Sequence, residues 1–181
     1  VLLLAAKAPV VGAAGPWRAQ LVDAETKAPL EGVVVVALWT KHIRGPGGAS
    51  SEYYDSEEVL TDREGRFTIQ PRSFFSLNPL MYFKGPKFVI FKPGYGQEVW
   101  PGYKEADQWP EEKRKALGLY ENLLQLDGIV LQTPRWRTLE ARKKYIEMFY
   151  IPTALSLNRE KIPLLEKAVT EEEQRAVGYG D

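Results

Sequence analysis

Few residues in this chain could carry covalent chemistry. There is one histidine, His42, and no cysteine in 181 residues. A nucleophilic triad needs a base held beside a nucleophile, and an imidazole metal site needs several ligands. A lone histidine supplies neither. Without cysteine there is no thiolate metal ligand, thiol nucleophile or disulfide framework, and no Cys-x-x-Cys-His haem attachment. His42 stands at the edge of a Gly-rich stretch, which predicts an exposed residue with no chemical role. Carboxylates are plentiful, but a glycosidase needs two that face each other across roughly 5–9.5 Å. Glu57 and Glu58 are neighbours in a strand and point to opposite faces. Glu111 and Glu112 suit the first turn of a helix, where acids favour the helix dipole. Gly45-Pro46-Gly47-Gly48 lacks the Lys-Ser/Thr and the following helix of a phosphate loop. Asp62 and Glu64 bring too few oxygens together for calcium. These residues predict no enzymatic activity, no metal and no cofactor.

What remains is surface. Aromatic residues make up 12% of the chain, with five Trp and nine Tyr. Tyr53, Tyr54, Trp100, Tyr103 and Trp109 fall around loops and the start of the C-terminal part. Exposed, they would stack on sugars or anchor a protein partner. Buried, they would seal strands against helices. A second stretch, Phe74-Phe75-x-Leu77-x-Pro79-Leu80-Met81-Tyr82-Phe83, is apolar and broken by proline. It is either an interface patch or a plug under the C-terminal part. Interface candidates there are Phe74, Phe75, Leu77, Met81 and Phe83. A third is the N-terminal run, with Val1, Leu2, Leu3, Leu4, Val10 and Val11. Val1–Ala8 looks like the end of a secretory segment with an Ala6-x-Ala8 cleavage signature, which predicts an extracytoplasmic protein: periplasmic, cell-surface or secreted. Alternatively residues 1–15 are an unpaired arm that adds a strand to a neighbour's sheet. The run is too short to span a bilayer. The 24 basic and 24 acidic side chains cancel, so no global charge draws the protein to nucleic acid.

These surfaces need a frame, and the pattern predicts mostly strands. Trp17–Asp23 alternates as a strand. Val33–Thr40 is a continuous apolar run with four consecutive valines, the mark of a central strand covered on both faces. Residues 41–51, rich in Gly and Ser, read as a mobile loop. Glu52–Thr61 reads as a strand, Asp62–Gly65 as the turn of a β-hairpin, and Arg66–Gln70 as its return. Lys87–Lys92 and Tyr95–Trp100 read as strands either side of Pro93-Gly94. Beyond residue 100 the periodicity turns helical. One helix opens at Trp109-Pro110 and carries Leu117, Tyr120 and Leu124. A strand follows at Ile129–Leu131. Thr138 caps a second helix to Phe149, and a third runs from Pro163 to Val177.

Three stretches carry a family resemblance. Val22–Val35 holds a strand, an Asp-rich turn and Pro29-Leu30-x-Gly32-Val33. Thr61-Asp62-Arg63-Glu64-Gly65-Arg66-Phe67 resembles a Thr-Asp-x-x-Gly-x-Phe motif. Phe91-Lys92-Pro93-Gly94-Tyr95 is similar to a late strand ending in Gly-Tyr. Together they resemble the carboxypeptidase regulatory-like domain family, relatives of the transthyretin-like and collagen-adhesin B-type sandwiches. The resemblance spans residues of about 17–100. It implies a mainly-β, Ig-like/transthyretin-like antiparallel β-sandwich over 16–105, with a helical extension over 106–181 packed on it. Residues 71–86 and the helical extension are additions to the family pattern. The sequence holds no His-x-x-Glu pair, so none of its residues is expected to belong to the family's peptidase partner domain. The expected function is therefore a non-catalytic structural, assembly or protein-interaction module. Its partner is a protein, either itself in a homo-oligomer or filament, or a larger cell-surface complex. A carbohydrate- or ligand-binding module using the aromatics is the alternative, with a glycan as partner.

Overall fold

A computed structural model of the protein describes residues 11–12, 15–96 and 128–178. The described residues are mainly β. The strands are β1 (Val11–Gly12), β2 (Trp17–Asp23), β3 (Val34–Gly45), β4 (Gly48–Leu60), β5 (Arg66–Ile69), β6 (Ser73–Phe74), β7 (Met81–Phe91) and β8 (Ile129–Thr133). Helices follow as α1 (Leu139–Met148), α2 (Thr153–Ser156) and α3 (Pro163–Val177), with a 3₁₀ turn at Arg159–Lys161 before α3.

The strands form two three-stranded sheets, ordered β5-β2-β8 and β4-β3-β7, plus the short β1-β6 pair. β3 is central in its sheet because both its faces are apolar. Val33, Val35, Ala37 and Trp39 face the other sheet, where they meet Trp17, Ala19, Leu21, Phe67, Ile69 and Leu131. Val34, Val36 and Leu38 face the opposite way and are covered by Leu155, Ile162, Leu165 and Ala168 of the helical segment. The described residues thus form three layers: sheet, sheet, helices. The two-sided burial that the valine run predicts comes from a second sheet on one face and helices on the other.

Local chemistry starts and stops the helices as the sequence predicts. The Thr138 hydroxyl accepts from the Ala141 N–H at the start of α1. Pro163 opens α3 and Gly178, at φ 85°, ends it in the left-handed conformation. α3 has no side-chain cap of its own. Instead Glu58, reaching from β4, accepts from the Leu164 and Leu165 N–H groups at 2.9 and 2.8 Å. Glu57 points the other way, to Arg72. The adjacent acids therefore do serve opposite faces, one of them as a helix cap from across the molecule.

Several expectations are corrected. Residues 41–51 are not a loop: past a register shift at Trp39/Thr40, β3 and β4 pair residue by residue from Thr40↔Tyr53 to Gly45↔Gly48, leaving only Pro46-Gly47 as a tight turn. β-pairing satisfies the backbone there, which outweighs the Gly-rich composition. The Asp62–Gly65 turn forms, with Gly65 N–H bonded to Asp62 O at 2.9 Å, but it is no hairpin. The strands on either side belong to different sheets, so the turn carries the chain across the sandwich. Gly65, at φ 72°, is required there because a Cβ would sit 2.3 Å from Leu21 O. β6 covers Ser73–Phe74 and β7 begins at Met81, so half of the 71–86 addition is sheet. After Pro93-Gly94, Tyr95 makes only an isolated bridge to Arg135, and 97–100 lie outside the described residues. The sandwich is not wholly antiparallel: β8 pairs with β2 in parallel, from Ala19↔Ile129 to Asp23↔Thr133. The helix expected from Trp109 lies outside the described residues.

Candidate interaction site

β7 is an edge strand: among the described residues it pairs with β3 on one side and with no strand on the other. Beside the lower part of this edge lies a groove of ≈ 750 Å³. Its floor is Phe88, Val89 and Ile90 of β7. Its walls are Pro134, Trp136 and the α1 residues Ala141, Lys144, Tyr145, Met148 and Phe149, with Tyr150 and Pro152 at one end. The wall is a cluster of mutually tilted aromatic rings. Tyr145 lies 6.1 Å from Trp136 and 5.9 Å from Phe149, and Phe149 lies 4.6 Å from Phe91 beneath. Met148 and Tyr150 are mostly exposed at the rim.

The wall is held in place by one ion pair. Glu172 on α3 is buried, and its carboxylate takes Arg142 of α1 on both oxygens. The same carboxylate accepts from the Gly94 N–H at 2.8 Å. That hydrogen-bonded partner raises the Arg142 guanidinium further above its ordinary value. A polar anchor thus joins α1, α3 and the turn after β7.

Beyond sheet β5-β2-β8 the longer strands β3, β4 and β7 continue as a projecting ribbon. Its two faces differ. One carries His42, Arg44, Tyr82 and Lys84: the His42 ring stacks on Tyr82 at 5.1 Å, and Arg44 lies 5.0 Å from the Tyr82 ring centre. His42 also shares a hydrogen bond with the Thr40 hydroxyl at 2.9 Å. Burial, then Lys84 and Lys87, hold its imidazole below the ordinary range. His42 is thus half-buried in a strand rather than exposed in a loop, a correction that follows from the extended pairing. The other face carries Phe83, stacked on Phe74 at 4.8 Å and edge-on to Tyr54 at 4.7 Å.

The candidate residues separate accordingly. Phe74 is a plug, buried among Trp39, Tyr54 and Phe83, and Phe83 packs against the same core. Met81 is half-buried, while Phe75 and Leu77 are exposed at 60% and 84%. The patch expected as one unit is therefore half core and half surface. Tyr53 and Tyr54 lie in β4, not in loops; Tyr53 packs toward the helices and its hydroxyl shares a hydrogen bond with the Ser56 hydroxyl. Trp100, Tyr103, Trp109, Val1, Leu2, Leu3, Leu4 and Val10 lie outside the described residues. Val11 is not unpaired: its backbone ladders with Phe74. The groove residues escape sequence reading because Trp136, Tyr145 and Phe149 look like ordinary helix-packing aromatics.

A second polar cluster is structural. Asp23 is buried and accepts from the Glu25 and Thr26 N–H groups at 2.8 and 2.9 Å and from the Tyr95 hydroxyl at 3.3 Å. Those bonds, the one from Thr26 foremost, hold its carboxyl below the ordinary range, and burial beside that carboxylate pushes the Tyr95 phenol up. Among the described residues no three His, Asp or Glu side chains are grouped to hold a metal ion. No helix among them is long and apolar enough to cross a membrane. No family model matches the chain, and no curated protein or solved structure matches it.

Proposed function

We propose that the protein is a non-catalytic, extracytoplasmic interaction module that joins to other protein chains, copies of itself foremost, by accepting an extended apolar segment. The observation that carries this reading is the groove at the outer edge of β7. An unpaired strand edge offers N–H and C=O groups to an incoming strand, and aromatic walls beside it hold that strand's side chains. The apolar segment Val1–Val10 of a second copy, which precedes the Val11 pairing with Phe74, is the proposed occupant. A repeated arm-to-groove contact is heterologous and would build a filament or a ring. The 17–100 segment is proposed, on its three sequence motifs, as a carboxypeptidase regulatory-like sandwich serving as the scaffold.

Sedimentation velocity over a wide concentration range tests this directly. The full chain is expected to form oligomers that disappear when residues 1–14 are deleted. A chain that remains monomeric at the highest concentration would overturn the self-joining function.

A further inference from the structure

The ribbon half of β7, above the groove, has a recognition chemistry of its own. Its four residues Met81–Lys84 alternate across the sheet. Tyr82 and Lys84 fall opposite His42 and Thr40 on one face, and Met81 and Phe83 fall opposite Ile43 and Lys41 on the other. The two faces differ in how their charges are used. On the apolar face Lys41 is paired with Glu52 at 2.8 Å. On the other, Arg44 and Lys84 form no ion pair among the described residues and lie instead over the Tyr82 ring, at 5.0 and 5.9 Å. Among the described residues one face is cationic without an ion-paired counter-charge; the other is apolar around Phe83.

We propose that Met81–Lys84 takes, by strand addition, an extended segment of a partner protein in which acidic residues alternate with apolar ones. This rests on the reading of the chain as an interaction module, at a different stretch of the edge. A strand added to β7 sends successive side chains to opposite faces. Those above Tyr82 and Lys84 meet Arg44 and Lys84, so they must be acidic. Those on the other face meet Met81 and Phe83, so they must be apolar. Lysine on an open edge repels basic strands and is desolvated without a counter-charge by neutral ones, and this is the source of selectivity. Pro86, which has no N–H, ends the ladder after Gly85 and keeps the recognised segment short. A sulfated or carboxylated polysaccharide would satisfy the cations but leave the strand's N–H and C=O groups and the apolar face unused.

The test uses the full chain and a fluorescein-labelled peptide alternating Glu with Val. A second peptide of the same composition carries its Glu and Val in two blocks. Fluorescence polarisation is expected to show the alternating peptide binding about tenfold more tightly than the block peptide. R44E/K84E, with an unchanged circular dichroism spectrum, is expected to lose about tenfold in affinity, as is the native chain in high salt. Hydrogen exchange at the Phe83 amide, which points away from β3, is expected to slow when the peptide binds. Equal affinity for both peptides, no binding, no effect of R44E/K84E, or displacement by dextran sulfate without change in amide exchange would each overturn the proposal. Self-association of R44E/K84E, measured by sedimentation, separates the two readings. Loss of peptide binding with oligomers intact supports the ribbon site alone, and peptide binding by a monomeric chain sinks arm exchange while leaving this site standing.

Discussion

Arg142 and Glu172 meet in a two-pronged pair, Nε to Oε1 at 2.7 Å and Nη2 to Oε2 at 2.5 Å, and this pair fastens α1, the groove wall, to α3. Glu172 is 1% exposed, whereas Arg142 keeps some contact with water at 22%. Removing the arginine therefore strands a buried carboxylate, which is the costlier half to orphan. Arg142→Ala is expected to lower stability by about 3 kcal/mol, discounted toward 2 for the partial exposure of the arginine. Adding Glu172→Gln to that variant is expected to restore part of the loss, as read by urea denaturation of both variants and the double variant.

Acid should weaken the turn after β2. The folded-state carboxyl of Asp23 lies below its ordinary value of 3.8. Its contribution is thus complete above that value and is lost as pH falls through the lower, folded value. Stability is expected to drop below about pH 4, and Asp23→Asn is expected to flatten that part of the profile. Asp23→Ala, which leaves two N–H groups and the Tyr95 hydroxyl without an acceptor, is expected to cost about 1–3 kcal/mol at neutral pH. Thermal melts across pH for the three proteins provide the comparison.

Two turn glycines should respond very differently. At Gly65 the backbone is left-handed and a methyl group would collide with Leu21 O. Gly65→Ala is expected to cost more than about 3 kcal/mol or to prevent folding. Gly47, at the ribbon tip, has open space where a Cβ would stand. Gly47→Ala is expected to fall within about 0.5 kcal/mol of the native chain. Equal losses in the two variants would mean that the crossover turn is not built as described.

Glu58→Ala removes the only side-chain cap described for α3 and should cost about 1 kcal/mol. The loss should appear as faster amide exchange in the first turn of that helix, at Leu164 and Leu165. Unchanged exchange there would show that water replaces the carboxylate without loss.

Met148→Glu places a charge on the exposed rim of the groove, so folding should be unaffected within about 0.5 kcal/mol. The same change is expected to weaken self-association measured by sedimentation, because an apolar segment would have to desolvate the new carboxylate.

Sequence pattern reaches a good part of this architecture. Trp17–Asp23, the two-faced valine strand, the Thr138 cap and the Pro163 and Gly178 limits of α3 are local facts, written in residues that stand next to one another. The misread parts are those that distant partners decide. Gly45–Gly48 has the composition of a loop, but the partner strand claims its backbone. Asp62–Gly65 has the chemistry of a hairpin turn, but nothing near it says that the strands on either side part company. Glu58 offers no sign that it caps a helix through Leu164, 106 residues later. The groove is hidden for the same reason: Phe88–Ile90 and Tyr145–Phe149 each read as ordinary packing segments, and only their juxtaposition makes a site.

The parallel pairing of β2 with β8 has a consequence for the order in which the protein can be made. During synthesis β3, β4 and β7 emerge together and can zip into their sheet at once. β2 emerges earlier still, yet it gains its second neighbour only when Ile129–Thr133 has been translated. Until then Trp17–Asp23 has a bare flank with Leu21 and Val22 beside it, a template for the wrong strand. Tying the beginning of the chain to a late segment makes completion of the sandwich a slow, long-range event. A fragment cut at residue 105 would keep that flank open permanently.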